Sequence, residues 1–225
     1  MSDNYFEKGQ ILFRSAENLR RSSSDLNALM NSIWEMISEK KVDFGNVELA
    51  KPQEGISNDG WIYSSSACNF ILYENLSATR SPKPGRKPKQ KPIGTITILV
   101  RLCGIEEDES AELQWPWLNQ ACLIVGWHKS RQESGEIWAI ENFEARSENT
   151  IHHCTNGLWV WKEDVDDYAF FFALPIFALR NENDLKNLVL KPLKILFETD
   201  DPRSMAATAL SNIPALTPGC GFSAE

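Results

Sequence analysis

The stretch Gly94-Thr-Ile-Thr-Ile-Leu-Val-Arg101 alternates with a period of two, setting Thr95, Thr97 and Leu99 on one side and Ile96, Ile98 and Val100 on the other. Its β-branched residues lose rotamer freedom in a helix but pack well on a pleated surface, so the stretch predicts a strand over Ile93 to Cys103. Trp61 to Tyr73, Ala121 to His128, Ile137 to Phe143 and Leu158 to Trp161 share this composition and are bounded by Gly, Asn, Ser or acidic clusters, with a sixth candidate at Tyr168 to Leu174. No helical pattern separates these segments. Consecutive strands without crossover helices pair antiparallel. The predicted fold class is α+β: N-terminal helices, a central antiparallel sheet of five or six strands, and a C-terminal helix packed on the sheet.

The N-terminal helix is read from steps of four and three: Leu12, Ala16, Leu19, Ser23, Leu26, Met30, Ile33 and Ile37 form an apolar seam broken only at Ser23. Two helices divided at Ser22-Ser23-Ser24, where serine can cap the second, are expected ahead of a single long one. The seam also allows homodimerisation. Asp43 to Asp59, polar and holding Pro52 and Gly55, reads as loop. Near the C-terminus, Asn183 and Asp184 are read as the cap of a helix carrying Leu185, Leu188, Val189, Leu193, Leu196 and Phe197 on one side. Pro192 should kink that helix or end its first half, since proline lacks the donor and clashes with the preceding turn. A short helix over Pro202 to Ser211 follows. Residues 1–212 are expected as one domain and 213–225 as a flexible tail.

The 225 residues carry 42% hydrophobic and 24% charged side chains, with eight Trp and eleven Phe, and a net charge of −8. That charge disfavours contact with anionic partners over most of the surface. The first residues show no basic region followed by an apolar run, and no apolar stretch reaches about 18 residues, so a cytoplasmic protein without a membrane span is expected. Five scattered cysteines agree with reduced thiols in that compartment.

Against the acidic total stands Ser81-Pro-Lys-Pro-Gly-Arg-Lys-Pro-Lys-Gln-Lys-Pro92. Arg80, Lys83, Arg86, Lys87, Lys89 and Lys91 are its candidate contacts for nucleic acid or another anion, because clustered cations displace counterions from phosphates. The run has no apolar side chain to bury, so residues 80–92 are expected as a solvated, mobile hairpin loop. Its core, Gly85-Arg86-Lys87-Pro88, resembles in part the AT-hook, from which it departs by the lysine between arginine and proline. The resemblance implies contact with the minor groove of A·T-rich DNA.

Signals for catalysis and metal binding are sparse. His152-His153-Cys154 and the acidic run Glu163 to Asp167 are the densest ligand candidates, yet adjacent histidines on a strand face opposite ways and no Cys-x-x-Cys completes a zinc shell. No metal and no cofactor are expected. There is no Gly-x-Ser-x-Gly elbow or phosphate-binding glycine loop. Glu141 and Glu144 could serve as an acid/base pair in a hydrolase or nuclease, the one enzymatic alternative.

Aromatic residues favour binding instead. Trp115, Trp117, Trp159 and Trp161 recur in the sheet region, and Trp159 and Trp161 share a face, being two apart on a strand. On an uncovered face they would suit a protein partner, whereas a second covering layer would make them core. The leading expectation is a non-catalytic cytoplasmic interaction protein, bacterial or phage-derived and of the immunity, inhibitor or adaptor type. The alternative is a nucleic-acid-binding accessory protein using 80–91.

Overall fold

A computed structural model describes residues 5–49, 57–58, 61–62, 65–74, 92–102, 121–129, 153–164 and 167–217. Helix α1 spans Tyr5–Ser38. Strands β1 (Asn46–Leu49), β2 (Ser57–Asn58), β3 (Trp61–Ile62), β4 (Ser65–Tyr73), β5 (Pro92–Arg101), β6 (Cys122–Lys129), β7 (His153–Thr155), β8 (Leu158–Asp164) and β9 (Asp167–Pro175) follow. A 3-10 turn at Ile176–Ala178 leads to α2 (Glu182–Asp184), a π-helical segment Leu185–Leu190, α3 (Lys191–Glu198) and α4 (Pro202–Ala209). The α+β class and the antiparallel sheet are as the alternation predicts. The count is not: among the described residues the sheet has seven strands in the order β1-β4-β5-β6-β9-β8-β7, rather than five or six, with β2 and β3 forming a separate pair.

The extra strands come from short segments. β1 lies in the stretch read as loop and pairs Asn46–Leu49 with Phe70–Tyr73. β7 pairs with β8 across Asn156 (φ 51°) and Gly157 (φ 82°), the two left-handed positions of a tight hairpin turn. Expected strand Ile137 to Phe143 lies outside the described residues.

Position 23 explains why α1 is one helix and not two. Ser23 Oγ donates to the Arg20 carbonyl at 3.0 Å, so its hydroxyl bonds back inside the helix instead of capping a new one, and Ser23 is buried on the same face as Leu26, Met30, Ile33 and Ile37. The helix closes at Lys40, in the left-handed region at φ 56°: Lys41 N–H donates to the Met36 carbonyl and Lys40 N–H to that of Ile37. At the other end, Asn181 rather than Asn183 or Asp184 is the cap of α2, its side chain accepting from the backbone N–H of Asn183 and Asp184. Pro192 sits in the first turn of α3, and the six residues Leu185–Leu190 ahead of that helix widen to π geometry, so the chain accommodates the proline ring without breaking.

Both faces of the sheet are covered. On the first, Phe70, Leu72, Ile96, Ile98, Val100, Leu123, Val125 and Phe172 meet the C-terminal half of α1 and the helices after β9. Trp127 stacks on Phe170 there at 5.3 Å between ring centroids. On the second face Leu99, Cys122, Ile124, Trp159, Ala169, Phe171 and Ala173 form another core with Leu216. Residues 213–217, expected as part of the tail, dock on this face: Leu216 N–H donates to the Ala173 carbonyl at 2.8 Å, and Trp159 Nε1–H donates to the Leu216 carbonyl at 3.2 Å.

Candidate interaction surface

Burial along α1 divides the helix in two. From Ser23 onward its seam is core, with Ile33 fully buried and Met36 and Ile37 nearly so. From Lys8 to Ser22 the described side chains are exposed, Glu17 alone being half-buried. Ile11, Leu12 and Phe13 are 59%, 71% and 70% exposed. At about 1.5 Å per residue this half extends some 22 Å. The sequence seam therefore continues past the point where the protein's own body ends.

Charge on this half is local. Residues 8–22 hold by sequence four cations, Lys8, Arg14, Arg20 and Arg21, and the acid Glu17, whose Oε1 lies 2.7 Å from Arg21 Nη2 in an i, i+4 pair worth about a few tenths of a kcal/mol. A solvated helix needs no large apolar residues. Three consecutive ones, about 100° apart around the helix, leave exposed apolar side chains on more than one side of it.

Two polar groupings lie elsewhere in the molecule. The second face of the sheet carries a polar strip in which Asn69, Thr95, Thr97 and Arg101 are 7% exposed or less, and Thr97 Oγ1 donates to Asn69 Oδ1 at 2.6 Å. This strip is enclosed, and its hydrogen bonding ties β4 to β5. The second grouping is a cleft of about 290 Å³ lined by Lys129, Phe170, Thr199, Asp200, Asp201, Pro202 and Arg203. Lys129 Nζ donates to the Thr199 carbonyl at 3.2 Å and lies over the Phe197 ring. Burial pulls its pKa down, against the opposing pull of Asp200 and Glu198. Acids and cations alternate around this cleft, so it favours neither sign of ligand.

The residues singled out by sequence fall unevenly. Arg80, Lys83, Arg86, Lys87, Lys89, Lys91, Trp115, Trp117, Glu141 and Glu144 lie outside the described residues. Trp159 is 5% exposed, stacked on Phe171 at 6.0 Å with its indole N–H bonded, and offers no surface to a partner. Trp161 lies in β8 opposite Ala169. His153 and Cys154 are in β7, and Cys154 packs against the second core. No group of three His, Cys, Asp or Glu side chains among the described residues could hold a metal ion. No described helix is long and apolar enough to cross a membrane. Phe13 and Trp34, beside the seam, read in the sequence as widening the apolar face for globular packing, but they are 70% and 43% exposed, and Ile11 and Leu12 are exposed with Phe13.

No family model, curated protein or solved structure matches the chain.

Proposed function

We propose that the chain is a non-catalytic cytoplasmic interaction protein of the immunity, inhibitor or adaptor type, which docks a protein partner through the exposed half of α1. The observation that carries this reading is the exposure of Ile11, Leu12 and Phe13 on a helix whose other half is built into the core. Helix-in-groove recognition reads anchors at i, i+3, i+4 and i+7, a spacing met here by exposed Leu12, Phe13 and Ala16. Burial of both sheet faces supports the helix over the sheet as the docking element. Immobilised full-length chain is expected to retain a specific protein from an extract of its own source cells, and the double variant Leu12→Glu, Phe13→Ser to lose it. Equal retention by the variant, or none by either, overturns the reading.

A second reading, a nucleic-acid-binding accessory protein, is favoured by register. β4 and β5 pair as far as Tyr73 and Pro92, so the chain carrying the six cations leaves and re-enters the sheet at one end. Titration into labelled DNA and RNA at several salt concentrations tests it. Binding that weakens steeply with salt and disappears when Arg86, Lys87, Lys89 and Lys91 become serine supports this reading; salt-independent or absent binding rejects it.

A further inference from the structure

Asn156 and Gly157 close the β7–β8 hairpin, both left-handed, at φ 51° and 82°. The pair is reactive: glycine has no Cβ to shield its backbone nitrogen, so that nitrogen can reach the carboxamide carbon of the preceding asparagine. Asn156 is exposed, and among the described residues its carboxamide has no hydrogen-bond partner to hold it in place. The hairpin stands at the margin of the sheet, since β7 is three residues long and, among the described residues, pairs with β8 alone. Such an end opens locally at small cost while the central strands stay paired. Gly157, by contrast, is buried. A Cβ on it would lie 2.6 Å from Ala215 Cβ and 3.8 Å from Leu210 Cδ1, so the turn and segment 213–217 meet with no spare room.

We propose that Asn156-Gly157 is a self-modification site: the folded chain converts Asn156 to isoaspartate, and the conversion releases 213–217 from the second face of the sheet. The Gly157 nitrogen gives up its proton and bonds to Asn156 Cγ, the Cγ–Nδ2 bond breaks, and the amide group leaves with that proton as ammonia. Water then opens the five-membered imide. Attack at Cγ leaves aspartate; attack at the main-chain carbonyl leaves isoaspartate, whose backbone runs through Cβ and Cγ. The net change is one water taken up, one ammonia lost and one carboxylate gained. Isoaspartate lengthens the turn by up to about 1.5 Å, one carbon–carbon bond. The turn cannot take up this length by withdrawing its far end, because Leu158 is fully buried in the first core. Segment 213–217 gives way instead, and the bond from Trp159 Nε1–H to the Leu216 carbonyl is lost with it. A slow chemical step thereby uncovers Trp159.

Full-length chain held at neutral and at mildly alkaline pH is sampled over weeks, beside Asn156→Gly, which keeps a pair suited to a left-handed turn but has no carboxamide. In the natural chain the tryptic peptide 147–162 is expected to gain an acid in place of an amide. Fragmentation should place the change at 156, methylation by protein isoaspartate methyltransferase should identify the iso form, and the higher pH should hasten it. Thermolysin is expected to cut before Leu216 at least about tenfold faster in aged natural chain than in fresh, because cleavage follows the population of the undocked segment. Aged Asn156→Gly should match fresh chain. Asn156 left intact in the folded chain, most clearly while urea-unfolded chain converts, overturns the inference. So does conversion with unchanged cleavage at 216, or an equal acceleration in aged Asn156→Gly.

Discussion

Gly157 shows how one residue ties local geometry to the second core. Its φ of 82° is left-handed, and a Cβ there would lie 2.6 Å from Ala215 Cβ, in the segment that docks Leu216. Gly157→Ala is expected to cost about 2 kcal/mol in urea denaturation and to make 213–217 easier to cleave by protease. The Asn-Gly pair announces the turn in sequence, but the approach of Ala215 does not, because its partner is nearly sixty positions away. Cys68 gives a pH signature. Burial pushes its thiol from 9.0 up to about 11, so the neutral form is favoured in the folded chain. The stability this contributes is fully present below about pH 9 and lost as pH rises toward 11, by about 2 kcal/mol after allowing for partial exposure. Urea midpoints should fall more steeply above pH 9 in the natural chain than in Cys68→Ala. Equal slopes would show that the thiol ionises as freely folded as unfolded.

At the scale of the element, α1 behaves as two helices joined end to end without a break. Ile33→Ala removes buried atoms from the first core and is expected to cost about 3 kcal/mol. Leu12→Ala, on the same seam, should change stability by under about 0.5 kcal/mol, since the side chain is 71% exposed. Urea denaturation of both variants checks the contrast, and a large cost at Leu12 would mean that the exposed half is packed. Heptad spacing was legible throughout the helix, yet it could not distinguish these halves, because the same pattern serves a core and an interface. The C-terminal helices are similar. The cap, Pro192 and the apolar face were readable as a broken helix, whereas the π-helical form of the break reflects how Leu185, Val189 and Leu190 all reach the core.

For the whole molecule, the sheet is a wall between two unequal cores. The first is closed by α1 and the last helices; in the second, Leu216 is a keystone, buried to 5% and bonded on both sides of its peptide. Leu216→Ala is expected to destabilise the protein by about 2–3 kcal/mol, and Pro214→Ala, exposed, by under about 0.5 kcal/mol. A calorimetric scan of each checks this, and equal effects would remove 213–217 from the fold. Composition and periodicity by themselves determined the α+β class, the antiparallel pairing and the strand faces of β5, because these depend on backbone preference and on side chains a few residues apart. Only the tertiary structure decided that Trp159 is core, that two short segments complete a seven-stranded sheet, and that the seam of α1 runs beyond its support. Those outcomes depend on what lies opposite each side chain, and partners distant in sequence leave no trace in local spacing.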